Sequence, residues 1–235
     1  QQEQETEKSY RMSLMAIERQ HQAEREALET QINAHFLCNT LGTINYEAIE
    51  AGNRKVSLLI KKLSNILRYT FDQKCQNVYM SQEFAWIEQY LYLQKARFED
   101  AFDYEIDLQE EYDMWPCCKL MLQPFVENAI IHGFKGREIG GMLKIMAKGQ
   151  GEYIKIVIND NGYGIPEERE KAIQEIIKGN DVSDDLRIGI GIRNVVARIH
   201  IFYGDSAQIS LWSKEGEGTK FEFLLPYPER KEECI

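Results

Sequence analysis

The chain has 235 residues, 43% of them hydrophobic, and carries 28 Lys and Arg against 38 Asp and Glu for a net charge of −10. That length suits one large domain or two small ones of ordinary soluble composition. The acidic balance argues against a nucleic-acid-binding surface, and no apolar run approaches the roughly 18 residues needed to span a bilayer.

Five cysteines, Cys38, Cys75, Cys117, Cys118 and Cys234, show neither zinc spacing nor a disulfide framework, which points to a reducing, cytoplasmic compartment. There is no signal peptide, and the first residue is Gln1 rather than Met. The sequence is therefore expected to be a piece of a longer protein.

Residues 1–30 are rich in Glu, Gln, Arg and Ala, with an interrupted apolar series at Tyr10, Leu14, Ile17 and Leu28. They read as a linker helix with coiled-coil composition and a broken heptad. Next comes QINAHFLCNTLGTI, residues 31–44. At about 100° per residue, Leu37, Leu41, Ile44 and Ala48 fall within roughly 60° of one another, a core-facing stripe. His35 lies roughly 150° from the centre of that stripe, with Asn39 one turn later on the same outward face. An imidazole placed there does not fill a core. At neutral pH much of an exposed imidazole is unprotonated and can act as a nucleophile. Taken alone, the segment is better described as a solvated histidine on an amphipathic helix.

Past Gly42 and Gly52 the helical period resumes at Val56, Leu59, Ile60, Leu63, Ile66 and Leu67. A break follows around Cys75–Met80, where Ser81 with Gln82 and Glu83 reads as a helix start. The next helix carries Phe84, Ile87, Leu91 and Phe98 on one side. Two such helices form a hairpin, placed here at residues 31–101, that cannot bury its stripe alone. Two copies in a four-helix bundle would bury it, so a homodimer is expected.

All five prolines and 14 of the 16 glycines lie after residue 115. Long helices exclude both residues, whereas mixed folds need them at turns. Segments 104–108, 142–148, 153–160, 208–212 and 220–225 alternate as strands. Helical segments lie near 118–132, 166–178 and 191–203. The whole is expected to be α+β, a helical hairpin followed over 102–235 by an α/β sandwich.

Three segments of this second half bear on phosphate and metal chemistry. There is no P-loop, and GIGIRN (189–194) lacks the third glycine of a dinucleotide fingerprint. LQPFVENAIIHG (122–133) puts Glu127, Asn128 and His132 on one helix, with Asn128 and His132 at i, i+4. An Asn carbonyl is a hard oxygen ligand suited to Mg²⁺. DNGYGIP (160–166) ends a strand with a carboxylate, Asp160, that can accept from an exocyclic amine. Gly162 and Gly164 then allow a base to approach the backbone. GIGIRN opens a helix whose N-terminal amides suit a triphosphate. Each segment has a plain structural reading, but their order, closed by GEGTKFEFLLP (216–226), is far more specific.

Together these segments resemble the ATP-binding domain shared by histidine kinases, the gyrase B subunit, the Hsp90 chaperones and the MutL proteins. ENAIIHG is similar to the N box, DNGYG to the first glycine box and GIGIRN to the second. QINAHFLCNTLGTI resembles the phospho-acceptor box of LytS/YesM-type sensor histidine kinases, and the resemblance runs over roughly residues 28–226.

The resemblance implies ATP-dependent autophosphorylation of His35 and phosphoryl transfer to an aspartate on the receiver domain of a response regulator. ATP and Mg²⁺ are the implied cofactors. By the same match, Asn128 would hold the metal and Asp160 the adenine amine, with Thr219 supporting the adenine site. Gly162 and Gly164 would shape the pocket, and Gly189 and Gly191 would hinge a lid over about 166–190. The family commonly has a basic residue where this chain has Ile131, which leaves His132, Lys135 or Arg193 to supply positive charge, beside Asn194. Phe36 follows His35 where orthodox kinases carry an acid. Glu127 is the candidate general base, although phosphoryl transfer to a neutral imidazole depends mainly on positioning.

The implied parent is a bacterial membrane protein, anchored ahead of Gln1, with this fragment in the cytoplasm. Two other readings use the same residues: a non-catalytic dimeric nucleotide-binding scaffold, and an anti-sigma-type serine kinase, which has no need of a histidine-bearing hairpin.

Overall fold

The computed structural model describes residues 35–72, 77–180 and 190–228. The expected linker helix of 1–30 lies outside them. The chain divides into two compact units, the first ending at Asp72 and the second beginning at Gln73.

The first unit is a helical hairpin. Helix α1 runs over 35–50 and α2 over Arg54–Phe71. Gly52 takes φ +68 in the turn. Its N–H donates to the Ile49 carbonyl at 2.9 Å, and that of Asn53 donates to Ala48 at 2.8 Å. Asn53 then caps α2, its side-chain oxygen accepting from the Val56 N–H at 3.2 Å, as N-cap asparagines do. Ser57 donates to Asn45 Oδ1 at 2.7 Å, tying α2 back onto α1 in antiparallel register. The seam buries Ala48, Ile60 and Ile66, but Leu37 stays 37% exposed, Ile44 48% and Leu63 37%. Two helices cover only one side of each other, so part of the stripe is left uncovered by the described residues.

Helix α3 (Met80–Phe98), read from the sequence as part of the hairpin, falls in the second compact unit. Two short strands account for this: β1 (Asn77–Tyr79) pairs antiparallel with β3 (Pro116–Cys118), Val78 opposite Cys117. The Met80 N–H also donates to the Trp115 carbonyl at 2.8 Å. Gln82, read from sequence as part of a helix start, accepts from the Tyr79 N–H at 2.9 Å through its side chain. Phe84, Trp86, Ile87 and Leu91 are buried.

The main sheet contains β2 (Phe102–Leu108), β4 (Gly141–Gln150), β5 (Tyr153–Asp160), β6 (Gln208–Lys214) and β7 (Gly218–Pro226). Its order is β2-β4-β5-β7-β6. β2 and β4 pair in parallel and the remaining neighbours are antiparallel. All five strands were expected from the alternation of apolar residues.

Helices α4 (Gln123–Asn128), α5 (Glu167–Ile177) and α6 (Ile190–Tyr203) complete the unit. Phe125 of α4 meets Phe221 and Phe223 of β7 with ring centres 4.7 and 4.9 Å apart. The alternate strand positions carry ion pairs such as Lys144–Glu105 at 2.7 Å and Lys155–Glu222 at 3.0 Å. The sheet is therefore apolar on one face and charged on the other, an α/β sandwich with one helical layer.

Candidate functional site

Asp160 closes β5. It is buried opposite Thr219 of β7. Its Oδ1 accepts from the Gly162 N–H at 2.8 Å. Burial pushes its carboxyl up to about 6, against the lowering effect of backbone hydrogen bonds from Gly162 and Thr219 and of the Arg137 charge. A carboxylate kept in an apolar setting at such a cost is characteristic of binding and catalytic sites.

Gly162 and Gly164 have steric reasons to be glycine. A Cβ on Gly162 would lie 2.5 Å from the Gly133 carbonyl oxygen. Gly164 sits at φ +72, and its Cβ would meet the Lys214 carbonyl at 2.2 Å. Ser213 of β6 organises this loop from beneath, accepting from the Ile165 N–H at 2.8 Å and lying 3.0 Å from Thr219 Oγ1.

Asn128 ends α4, and the chain continues through a wider π-helical turn, Ala129–Gly133. The Phe134 N–H bonds back to the Ala129 carbonyl at 3.0 Å. Such turns recur at functional sites because they re-aim side chains. His132 is held below its ordinary value, first by partial burial and then by the charges of Arg169 and Lys135.

Asn128, His132, Asp160, Gly164 and Thr219 line one pocket. Phe125, Ile165, Ile173, Ile192 and Phe221 supply its apolar wall. An apolar wall with a few convergent polar groups is the make-up of a small-molecule site. Asp160, the glycine backbone and the apolar wall suit a purine. The Asn128 and His132 end suits phosphate and a cation. Among the described residues no cluster of three His, Cys, Asp or Glu could cage a metal. The Asn128 carboxamide is a hard oxygen donor on the pocket wall, of the kind that suits Mg²⁺ held mainly by waters and phosphate.

Not all of the other expected residues line this pocket. Gly162 is buried beside Asp160. Gly191 abuts Pro124, a Cβ there lying 3.5 Å from the proline Cβ. Gly189 lies outside the described residues. Lys135 lines a neighbouring groove that it shares with His132. Arg193 and Asn194 sit in the first turn of α6 and are not among the lining residues. Glu127 is also absent from the lining, and its Oε1 accepts from Gln123 at 2.7 Å.

Part of the expected lid is in fact packed structure, since α5 buries Ala172, Ile173 and Ile176. Sequence reasoning missed Arg169, on α5, which lines the pocket half-buried with no hydrogen bond or ion pair to any described residue. It missed Ser213 as well. No motif marks either position.

His35 is exposed on α1 of the first unit. The Asn39 amide nitrogen lies 3.4 Å from its Nδ1 and 3.3 Å from its Nε2. The two nitrogens flank one ring carbon, and the amide lies about equally far from both.

Comparison with known proteins agrees with this arrangement. The histidine kinase family model matches residues 23–102, and the histidine kinase-, DNA gyrase B- and HSP90-like ATPase model matches 118–229. The chain belongs to the histidine kinase family. The Sensor protein kinase HptS of Staphylococcus aureus (strain USA300) is 31% identical over 199 residues, covering 85% of this chain and 37% of the relative. The chain thus spans little more than a third of the length of that curated relative. Among solved structures, the histidine kinase domain of the blue-light activated kinase of Erythrobacter litoralis EL346 aligns with a TM-score of 0.48 at 13% identity, over 86% of this chain and 94% of that one. The second family match shows an ATP-binding domain of the histidine kinase type, and the described elements are α+β, helices followed by a mixed sheet.

Proposed function

We propose that this chain is the catalytic core of a two-component sensor kinase that transfers the γ-phosphoryl group of ATP to His35. The observation that carries the reading is the convergence of a buried carboxylate, Asp160, with Asn128 and His132 on one pocket, while the exposed His35 stands on a separate unit. In the transfer, an imidazole nitrogen of His35 bonds to the γ-phosphorus as the bond to the β,γ-bridging oxygen breaks and ADP leaves. The ring proton passes to solvent or to a nearby carboxylate, with Glu127 as the candidate. Mg²⁺, when bound, neutralises charge on the β- and γ-phosphates.

Binding and orientation fall to this chain's own residues. Asp160 accepts from the adenine amine, and Thr219 with Ser213 fixes the floor beneath it. Asn128 offers its carboxamide oxygen to the metal. His132, Lys135 and Arg169 oppose the phosphate charge, and Arg169 supplies the cation that Ile131 does not. Gly162 and Gly164 give the backbone its close approach, Gly189 and Gly191 are the candidate hinge of a lid, and Arg193 and Asn194 present the start of α6 to the phosphates.

The hairpin pairs with a second copy through the exposed part of its stripe. The phosphohistidine donates to an aspartate on a response regulator receiver domain, and the parent chain is anchored to the membrane through a segment ahead of Gln1. No helix among the described residues is long and apolar enough to cross a membrane.

Incubation with γ-labelled ATP tests the reading. Label that is lost in acid, and absent from His35→Gln with ATP affinity retained, is expected. Acid-stable label, or undiminished label in that variant, overturns the assignment.

A further inference from the structure

Glu83 lies outside the pocket and belongs to none of the nucleotide-binding motifs, yet its side chain is fully buried. It projects from the first turn of α3 into the loop that joins β3 to α4. Its Oε2 accepts from the Leu120 N–H at 2.8 Å, and its Oε1 accepts from the Leu122 N–H at 3.2 Å. Leu122 is the residue that caps α4, and no side chain of α4 itself bonds the exposed amides there. Leu120, between the two elements, sits at φ +58, a left-handed conformation that crowds any residue with a Cβ. A non-glycine residue stays in that region only where its surroundings over-determine it.

Those surroundings are specific. Met121 and Leu122 are fully buried. From α6, Arg198 donates to the Lys119 carbonyl, and Tyr203 donates to the Pro116 carbonyl at 2.8 Å. The Glu83 carboxylate is the group that bonds the amides on both sides of the strained turn. Six residues beyond Leu122 stands Asn128, on the same short helix. Asp160, by contrast, stands on β5, whose position is set by its pairing with β4 and β7.

We propose that Glu83 is a positioning residue that sets α4, and with it Asn128, for the metal-phosphate half of the nucleotide site, leaving the adenine half to the sheet. The proposal rests on the reading of Asn128 as the metal ligand. It also gives α3 a role beyond packing. In chain order this helix is the first one after the His35 hairpin, α2 ending at Phe71 and α3 starting at Met80. The clamp is the point at which the chain leaving the hairpin takes hold of the helix that bears Asn128.

The test compares ADP affinity with and without Mg²⁺ in the full chain. Glu83→Gln keeps the shape but presents one acceptor and one NH₂ group to two N–H donors, so one amide loses its partner. The expected result is metal-free ADP affinity within about twofold of wild type and a Mg²⁺-dependent increment reduced roughly tenfold. Adding Leu120→Gly, which adopts φ +58 without crowding, restores most of that increment.

A role confined to stability would lower both affinities together and leave the glycine without a selective effect, and that result overturns the proposal. An unchanged metal increment in folded Glu83→Gln also overturns it, while the kinase reading stands. A wild-type chain indifferent to Mg²⁺ overturns the Asn128 assignment and this proposal with it. Should Glu83→Gln fail to fold, Glu83→Asp, one methylene shorter, is read against the same outcomes.

Discussion

Gly133 and Gly162 touch through their backbones. A Cβ added to Gly162 would stand 2.5 Å from the Gly133 carbonyl oxygen and 2.7 Å from Asp160 Oδ1. The next amide, that of Tyr163, donates to that same carbonyl at 2.9 Å. The segment bearing Asn128 and His132 and the segment bearing Asp160 are therefore joined at the pocket itself. Metal and adenine groups hold a fixed separation because two glycines let their backbones meet.

Gly162→Ala should break that junction. The neighbours are backbone and a buried carboxylate, neither of which can swing aside, so about 1–3 kcal/mol of overpacking strain is expected. Nucleotide affinity should fall at least tenfold while the helical hairpin, a separate unit, keeps its helicity. Calorimetric titration with ADP checks this, and wild-type affinity in the variant would show that the two segments need not touch.

Asp160→Asn should weaken nucleotide binding while stabilising the free protein. Losing one charge-assisted hydrogen bond costs about 1.5–3 kcal/mol, roughly 10- to 150-fold in affinity. The sign for stability is opposite. The folded-state value, about 6, stands above the ordinary 3.8, so the folded chain holds this proton more tightly than the unfolded one. That contribution to stability is complete below about pH 3.8 and is lost as pH rises through about 6. At pH 7 the ionised Asp160 is a buried cost that asparagine removes. The nucleotide-free variant should melt a few degrees above wild type at pH 7, with the gap closing as pH falls through 6. Wild-type ATP affinity should drop over the same interval. A variant that melts lower at pH 7 would mean that the carboxylate is stabilised rather than strained.

Arg169→Gln should lower ATP affinity by about 1 kcal/mol, near fivefold, a half-buried cation being partly screened by solvent. The loss should grow from adenosine to ADP to ATP, since the guanidinium faces phosphate rather than base. A second readout needs no ligand. Arg169 is one of the two charges holding His132 down, so the His132 titration followed by NMR should move upward in the variant. An equal loss for adenosine and ATP would place Arg169 at the wrong end of the pocket.

Much of this site was legible because its residues combine in short, ordered segments. The Asn128–His132, Asp160–Gly164 and Gly218–Thr219 stretches sit at strand ends and helix turns, where residue choice is dictated by backbone geometry. The five sheet strands showed themselves by alternation. The residues that escaped act at a distance. Glu83 reads as an acid in a first helical turn, because the amides it serves lie 37 and 39 positions away. Arg169 reads as one more charge on a polar helix face. Strands β1 and β3, three residues each, are too short to show a period, and without them α3 looked like the partner of the preceding helix. Helix α5 was expected from the sequence, and the resemblance assigned its span to the lid, yet three of its apolar residues are buried.

The hairpin supplies the last prediction. Leu37, Ile44 and Leu63 remain partly exposed on α1 and α2, and each large side chain fully removed from water contributes about 1.5–3 kcal/mol. Two copies meeting through residues 35–71 would cover this surface and form the four-helix bundle, with α3 left to the ATP-binding unit. The chain should therefore run as a dimer in light scattering at micromolar concentration. Leu41→Asp combined with Leu63→Asp would bury unpaired charge at that seam and should yield monomers or an unfolded hairpin. The ATP-binding unit has its own core, in which Phe125, Phe223, Ile145 and Ile156 are fully buried or nearly so, so the double variant should still bind ADP. Loss of ADP binding along with the dimer would show that the two units depend on each other for folding. A wild-type monomer at micromolar concentration would assign the uncovered stripe to some contact other than a second copy of this hairpin.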